Sequence, residues 1–403
     1  MGHTFSEKVI GKKAGHVVKA GDVVIVPVDA MMATDTTGPI AIRAFQNMGG
    51  IKLAKPLNSH FVLDHATPCP NERIANLHSL IRNFCKDQGC VLHDQDEGVC
   101  HQIMLAQNHV KEGDIVLGAD SHTCSYGAIG AFSTGVGSTD LGAALLTGKT
   151  WLRVPETLQV TITGHLSKGV SAKDIILKVI SDITSDGATY MAIEFTGDGI
   201  ADFSREEAIT LCNMAIEAGG KTGIFVPGLT DPDLIPDEDA VYARKISYRA
   251  EDIVPMVACP HTVDNGKPAA ELGNQKIDLV YLGSCTNGRL SDIRIAADML
   301  RGKKIVTRML VCPASSEVLN QAAKLGYLSD LIEAGATFMT PGCGLCVGTL
   351  GGVPGNAESV LSTTNRNFLG RMGNNKAFVY LGSPATAAAT ALKGTITDPR
   401  EVL

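Results

Sequence analysis

The sequence lacks a secretory leader and any long uninterrupted apolar run. Its start, from Met1 to Lys8, has no apolar core and predicts no signal peptide. The most apolar long stretch runs from Gly127 to Gly148, and the Ser133, Thr134 and Asp140 within it exclude a transmembrane helix. We therefore expect a cytoplasmic chain that does not contact a membrane.

A surplus of basic residues is also missing. The chain has 35 Lys and Arg against 42 Asp and Glu, a formal net charge of −7, with no basic stripe to bind nucleic acid. Eleven cysteines in 403 residues are too few for a disulfide scaffold and indicate a reducing compartment. The length suggests two or three domains.

Three cysteines in the last third carry the clearest chemical signal. Cys285 lies between Gly283 and Arg289, and Cys343 and Cys346 form a Cys-x-x-Cys pair flanked by glycines. A zinc site would need a fourth Cys or His, and a disulfide would leave Cys285 unexplained. Three thiolates instead suit a [4Fe–4S] cluster in which one iron has no protein ligand and can act as a Lewis acid.

Polar residues also follow predicted strands near the N-terminus. Asp64 and His65 end the predicted strand 61–65, and they can bond each other only where the strand gives way to a loop, because neighbouring strand side chains point to opposite faces. Asp120, after the strand beginning at Asp114, is expected to orient His122, and Ser121 offers a donor and acceptor.

Repeats of strand, loop and helix predict an α/β fold with parallel sheets. The segment Trp151–Pro155 indicates a domain joint, and a strand from Lys276 to Gly283 delivers Cys285 to its carboxyl end, where ligands of such sheets gather. The predicted domains are 1–155, 156–272 and 273–403. The helix 205–218 and the acidic segment 230–240 are interpreted as peripheral.

Four ordered motifs then indicate a family. They are Gly118-Ala119-Asp120-Ser121-His122-Thr123, Ser284-Cys285-Thr286-Asn287, Gly342-Cys343-x-x-Cys346-x-Gly348 and Asn365-Arg366-Asn367-Phe368-x-Gly370-Arg371. Together they resemble the aconitase superfamily and, within it, the large subunits of 3-isopropylmalate dehydratases, over essentially the whole length. The resemblance implies three domains with parallel sheets around a central cluster.

The resemblance also implies roles for single residues. Catalytic roles fall on Asp64, His65, His101, Asp120, Ser121, His122 and Glu194; substrate contacts on Asn365, Arg366, Arg371, Asp35 and Thr36; cluster ligation on Cys285, Cys343 and Cys346. Among these, His65 would protonate the departing hydroxyl, and Glu194 would contact a water on the iron. Four other histidines are expected to be structural: His60, His78, His93 and His109.

The implied reaction is the isomerisation of 2- and 3-isopropylmalate, a step of leucine biosynthesis, through dehydration and rehydration on the open iron. Because the sequence ends at Leu403, soon after its last predicted helix, we expect a separate small subunit to supply the serine base and further substrate contacts. Leu345 stands where this family is expected to have proline.

Other functions stay open at this point. Within the same enzyme class, the motifs fit homoaconitate hydration or dehydration of methylated malates equally well. Outside it, the cysteines fit a zinc-stapled protein, an electron carrier or a cluster-sensing RNA binder. The acidic charge argues against RNA, and a fourth zinc ligand is missing from the motif.

Overall fold

This computed structural model describes residues 2–403. The segment 2–153 contains two sheets. Strands β2, β3, β4, β5 and β6 build a parallel sheet in the order β4-β3-β2-β5-β6, while β1 and β7 pair antiparallel. The elements are α1 (Phe5–Ala14), β1 (Val23–Pro27), β2 (Ala30–Thr34), α2 (Gly38–Asn47), β3 (Ser59–Val62), α3 (Glu72–Gln88), β4 (Val91–His93), α4 (Cys100–Ala106), β5 (Ile115–Gly118), β6 (Phe132–Gly135), α5 (Ser138–Thr147) and β7 (Lys149–Arg153).

The second region is a four-stranded parallel sheet in the order β10-β9-β8-β11. Its elements are β8 (Thr157–Thr163), α6 (Ala172–Ile183), β9 (Ala192–Thr196), α7 (Arg205–Asn213), β10 (Thr222–Phe225) and β11 (Arg244–Arg249). A 3₁₀ helix, Met214–Ala218, follows α7 directly. The capping box of Ser171 and Asp174 starts α6.

The third region is a seven-stranded mixed sheet in the order β13-β12-β18-β17-β14-β15-β16. Its elements are β12 (Met256–Ala258), β13 (Gly266–Pro268), β14 (Leu279–Gly283), α8 (Leu290–Leu300), β15 (Arg308–Cys312), α9 (Ser316–Lys324), α10 (Tyr327–Ala334), β16 (Thr337–Phe338), β17 (Ser359–Ser362), β18 (Phe378–Leu381) and α11 (Pro384–Lys393). Since β12 pairs with β18, we propose that the second domain division falls between β11 and β12 rather than at 272/273.

The predicted α/β class with parallel sheets is confirmed. The core strands are buried on both faces, as strands between helix layers must be: every residue of β2, β3, β5, β14 and β17 is buried. Strand β3 ends at Val62, earlier than predicted, which leaves Asp64 and His65 in a loop. Among residues 2–403, no helix combines the length and the apolar character that crossing a bilayer requires.

Candidate active site

The carboxyl ends of several strands converge on one cavity of about 220 Å³. Asp35 follows β2, His65 follows β3, Asp120 follows β5, and Cys285 follows β14. The cavity is lined by Thr36, His65, Val99, His101, Asp120, Ser121, His122, Cys285, Cys343, Cys346, Val347, Thr349, Arg366 and Arg371. Residues separated by some 300 positions in sequence thus share one wall, and most of the predicted site residues are brought together.

Asp64 and His65 form the hydrogen-bonded pair that a loop makes possible. His65 Nδ1 lies 2.7 Å from Asp64 Oδ1, and the other Asp64 oxygen accepts from the backbone N–H of Cys100 at 2.8 Å, at the start of α4. Burial alone would lower the pKa of His65, but the Asp64 carboxylate, with Asp120 and Asp35 adding to it, raises that pKa to about 10. His65 is therefore a proton donor at neutral pH.

Asp120 lies at the centre of three imidazoles. Its Oδ1 accepts from His101 Nε2 at 2.9 Å and from the backbone N–H of His122 at 2.8 Å, and its Oδ2 lies 3.7 Å from His65 Nε2. Although burial opposes ionisation, the hydrogen bonds from His101 and His122 hold the pKa of Asp120 well below its usual value. Asp120 thus orients the ring of His101 more closely than that of His122, whose Nδ1 is 3.5 Å away.

Backbone hydrogen bonds lock the cysteine loop against the acid–base pair. The N–H of Cys343 donates to the carbonyl oxygen of Asp64 at 3.0 Å, and Thr349 Oγ1 donates to that of His65 at 2.5 Å. Between the two cysteines, Gly344 has a φ of +58°, and a Cβ there would meet the Tyr281 hydroxyl, so this turn requires glycine. Leu345 is fully buried, and the cysteines on either side of it line the cavity.

Two of the three sulfurs, those of Cys285 and Cys346, accept hydrogen bonds from N–H donors. Cys285 Sγ accepts from Asn213 Nδ2 at 3.2 Å and Asn365 Nδ2 at 3.4 Å, and Cys346 Sγ accepts from Arg371 at 3.3 Å. The hydrogen bond from Cys343, helped by the charge of Arg371, holds the pKa of Cys346 well below its usual value. These buried thiols fit a metal cluster that needs several thiolate ligands in one cavity.

A second group of possible metal ligands near the cavity already has hydrogen-bond partners within the protein. His101, His122 and Cys285 have ligand atoms within 4.8 Å of one another. However, both ring nitrogens of His101 are taken, by Tyr126 Oη at 3.0 Å and by Asp120. Metal ligation by these two imidazoles would break the network around Asp120, so the cysteines are the better ligands.

Two arginines face the same cavity with different partners. Arg366 Nε donates to both oxygens of Glu217, at 2.8 and 3.0 Å, which leaves the terminal nitrogens of its guanidinium free of that pair. Arg371 Nε is buried without a hydrogen-bond partner among residues 2–403. A buried guanidinium N–H without a partner beside a cavity is suited to an anionic ligand.

Two predicted substrate contacts lie behind the wall rather than in it. Asp35 accepts from the backbone N–H groups of His65 and Ala66 at 3.0 and 2.8 Å, and from His78 at 3.1 Å. Asn365 is fully buried and donates to Cys285. Asp35 and Asn365 both position residues that line the cavity. Their geometry does not favour direct contact with the substrate.

The structure corrects the prediction for Glu194. This carboxylate is buried on β9, where it accepts from the backbone N–H of Phe5 at 2.8 Å and from Tyr242 Oη at 2.8 Å. Its role is to cap the start of α1, where a carboxylate meets free N–H groups. Burial raises the pKa of Glu194 to about 7, but this carboxylate does not line the cavity.

The carboxylate that bonds to residues lining the cavity is Glu217, in a segment that the sequence analysis interpreted as peripheral. Glu217 Oε1 accepts from His122 Nε2 at 3.0 Å as well as from Arg366. Asn213, four residues earlier, donates to Cys285. The available signal was two polar residues at i, i+4 spacing within the apolar run Leu211–Ala218, a spacing that places them on one helix face.

Lys173 is a second residue that sequence reasoning missed. Its buried Nζ donates to the carbonyl oxygens of Thr363 at 2.8 Å and Thr364 at 2.6 Å, immediately before Asn365. It therefore ties α6 of the second region to the loop that carries Asn365 and Arg366. Burial lowers the pKa of Lys173 to about 7 despite its acidic neighbours.

The two glutamates make a matched pair for mutation. We expect Glu217→Gln to lower kcat by about 10–100-fold, because the orientation of His122 and the charge pairing of Arg366 both depend on the carboxylate. Glu194→Gln should leave kcat nearly unchanged, since the amide can still bond Phe5 and Tyr242. Steady-state kinetics of the two variants, with thermal unfolding to show that both fold, check this; equal losses would contradict it.

Comparison with known proteins agrees with the motifs. The Aconitase family (aconitate hydratase) profile matches residues 7–231 and 263–394. Two relatives, both named 3-isopropylmalate dehydratase large subunit, are 46% identical: that of Elusimicrobium minutum over 421 residues and that of Methanoregula boonei over 416, each alignment covering 100% of both chains. This chain belongs to the Aconitase family.

A solved structure shares the fold. Aconitase X of Thermococcus kodakaraensis, in its holo form, has a TM-score of 0.53 at 15% identity and covers 85% of this chain, with 84% of its own length matched.

The relative from Thermotoga maritima, 3-isopropylmalate dehydratase large subunit 1, is 44% identical over 420 residues, with both chains fully covered. Membership of the family implies an iron–sulfur cluster.

Proposed function

We propose that this chain is the large subunit of a 3-isopropylmalate dehydratase, a hydro-lyase that interconverts 2- and 3-isopropylmalate in leucine biosynthesis. The full-length identity of 46% to relatives of that name supports the substrate. The observation that carries the mechanism is that a proton-donating histidine, three thiols and two arginines share one cavity.

We infer that Cys285, Cys343 and Cys346 hold one [4Fe–4S] cluster. Their burial and the N–H donors to Cys285 and Cys346 fit that group, and the turn at Gly344 presents Cys343 and Cys346 together. When bound, such a cluster supplies a Lewis acid at the iron that no cysteine holds. Ligation requires loss of all three thiol protons, so cluster affinity should fall at low pH.

The acid in the proposed mechanism is His65. Its Nδ1 is bonded to Asp64, so its Nε2 carries the proton that can reach a leaving hydroxyl in the cavity. Donation from Nε2 leaves a neutral ring, and Asp64 holds that ring in one orientation. Asp120 keeps His101 in place nearby, and Ser121 and Thr36 offer hydroxyls to the substrate or a water.

Substrate carboxylates are assigned to Arg366 and Arg371. Arg371 keeps an unpartnered Nε, and Arg366 keeps terminal N–H groups beyond its bond to Glu217. Two guanidinium groups on one wall suit a dicarboxylate held at both ends. The net charge of −7 makes such local cations necessary for anion binding.

A separate small subunit is proposed as the partner of this chain. The relatives that match it over their full length are themselves named large subunits. We propose that the small subunit supplies the serine that removes the substrate proton and further contacts to the substrate side chain. A cytoplasmic location, as first predicted, accords with the eleven free cysteines.

The test is to assay the anaerobically reconstituted chain alone and with candidate small subunits. We expect no turnover of 3-isopropylmalate by the chain alone and turnover when the cognate small subunit is added. Homoaconitate and 2,3-dimethylmalate serve as competing substrates in the same assay. Turnover by the isolated chain would remove the subunit proposal, and a higher kcat/KM for either competitor would reassign the substrate.

A further inference from the structure

Three histidines on and beside strands β3 and β4 form a second group of side chains that could bind a metal ion. His60 on β3, His93 on β4 and His109 after α4 each present a ligand nitrogen, and these nitrogens lie within 4.8 Å of one another. We refer to these three residues as the histidine triad. None of them lines the cavity that holds the three cluster cysteines.

The strand register explains why two of the rings meet. His60 pairs with Val91 and Val62 pairs with His93 in the parallel β3–β4 ladder, so His60 and His93 are two positions apart on one face. The connection from α4 to β5 then brings His109 over both rings, with centroids 4.3 Å from His60 and 5.1 Å from His93. Three separate elements thus converge without any local sequence motif.

The nitrogen spacing matches a tetrahedral metal. His60 Nδ1 and His93 Nε2 are hydrogen-bonded to each other at 3.3 Å, and a bound metal ion would replace the shared proton. Two imidazole nitrogens at about 2.0–2.1 Å from a tetrahedral zinc are separated by about 3.3 Å. The ligand nitrogen of His109 belongs to the same 4.8 Å group, and because this ring is only half buried, the fourth position can open to solvent.

Hydrogen bonds behind the rings orient them for ligation. Glu97 Oε2 accepts from His93 Nδ1 at 2.9 Å and from Gln107 Nε2 at 3.2 Å, and Gln107 Oε1 lies 3.1 Å from His109 Nε2. This chain of bonds directs His93 Nε2 toward His60 and leaves Nδ1 as the His109 nitrogen with a free lone pair. A carboxylate behind a ligand imidazole is the arrangement found behind metal-bound histidines.

Burial also favours the neutral form of His60. Together with the charges that His109 and His93 would carry, it lowers the pKa of this ring to about 3. Neutral imidazole is the form that binds metal.

We propose that the histidine triad binds one divalent transition metal ion, with zinc as the best fit, at a site separate from the iron–sulfur cluster. The ion would join β3, β4 and the connection between α4 and β5. These elements lead into His65 and follow His101, so the site would brace the scaffold of the cavity without taking part in the reaction.

The experiment uses the cluster-loaded chain dialysed anaerobically against zinc, with zinc and iron measured per chain. We expect about one zinc per chain and an X-ray absorption spectrum showing only nitrogen or oxygen ligands near 2.0 Å, because sulfur ligation would appear near 2.3 Å. Unchanged iron content would show that zinc had not displaced the cluster. Sulfur in the zinc shell, or no bound zinc, would overturn the proposal.

Substitutions in the histidine triad, and of the Glu97 that bonds to it, test the metal site more specifically. His93→Asn should abolish zinc binding, and His109→Asn, at a half-buried position that tolerates change, should do the same without impairing folding. Glu97→Gln should weaken binding by about 10–100-fold. The matched control is His16→Asn, an exposed histidine, which should keep one zinc per chain. Equal zinc content in His109→Asn and the control would refute the site.

Discussion

Replacing Cys346 with serine is expected to abolish both cluster assembly and turnover. Cys346 is the thiol most disposed to ionise, since Cys343 and Arg371 both stabilise its thiolate. A serine hydroxyl is a far poorer ligand for iron because it ionises with much greater difficulty. Iron and acid-labile sulfide per chain after anaerobic reconstitution, followed by electron paramagnetic resonance on mild oxidation, measure the loss.

Cys312→Ser is the control for this prediction. Cys312 is equally buried, but its Sγ donates to the carbonyl oxygens of Thr340 at 3.3 Å and Gly342 at 3.4 Å and does not line the cavity. A serine can make the same bonds, so this variant should retain about four iron atoms per chain and its activity. Full iron content in Cys346→Ser, or an equal loss in both variants, would remove Cys346 from the ligand set.

Most of the site was predictable because the carboxyl ends of strands can be recognised in the sequence. Asp120 and Cys285 each follow a buried strand, and parallel strands bring their carboxyl ends to one edge. That rule places Asp120 and Cys285 together, although 165 positions separate them in the numbering. The bond between Asp64 and His65 followed from local geometry, once the strand was known to end at Val62.

The sequence analysis named Glu194, whereas the structure brings Glu217 to the site residues. This difference shows where reasoning from sequence alone fails. A carboxylate in an apolar strand is conspicuous in sequence, but the partners that satisfy Glu194, Phe5 and Tyr242, lie 189 and 48 positions away. Glu217 lies in a short 3₁₀ helix with no motif of its own, and only the packing of that helix against His122 gives it a role. Tertiary contacts decided both cases, and neither was encoded locally.

The same limit applies to the histidine triad. His60, His93 and His109 were expected to be structural, and no spacing rule joins them in the sequence. Their proximity depends on the register of β3 against β4 and on the path of one connection. A single-residue shift of that register would turn His93 to the opposite face of the sheet.

The largest effect on the chemical step is expected from His65→Asn. A positioned general acid contributes about 10²–10⁴-fold to a rate, so kcat should fall by that range while the iron content stays unchanged. The asparagine cannot donate a proton of comparable acidity to the leaving hydroxyl. His16→Asn, at an exposed position, serves as the control for expression and reconstitution. Loss of the cluster in His65→Asn would mean that the residue supports assembly instead.

Asp64→Asn tests the same assignment through pH. The acid works only while His65 is protonated, and its pKa of about 10 places the alkaline limb of kcat/KM near that pH in the wild type. Burial opposes protonation of the His65 ring, and Asp64 carries the main charge that favours protonation. In the Asp64→Asn variant, His65 should therefore lose its proton at a lower pH. The activity ratio of wild type to variant should therefore grow as the pH rises from 6 to 9. An alkaline limb that does not move would show that His65 is not the acid, because its proton affinity could not then depend on the carboxylate 2.7 Å from its ring.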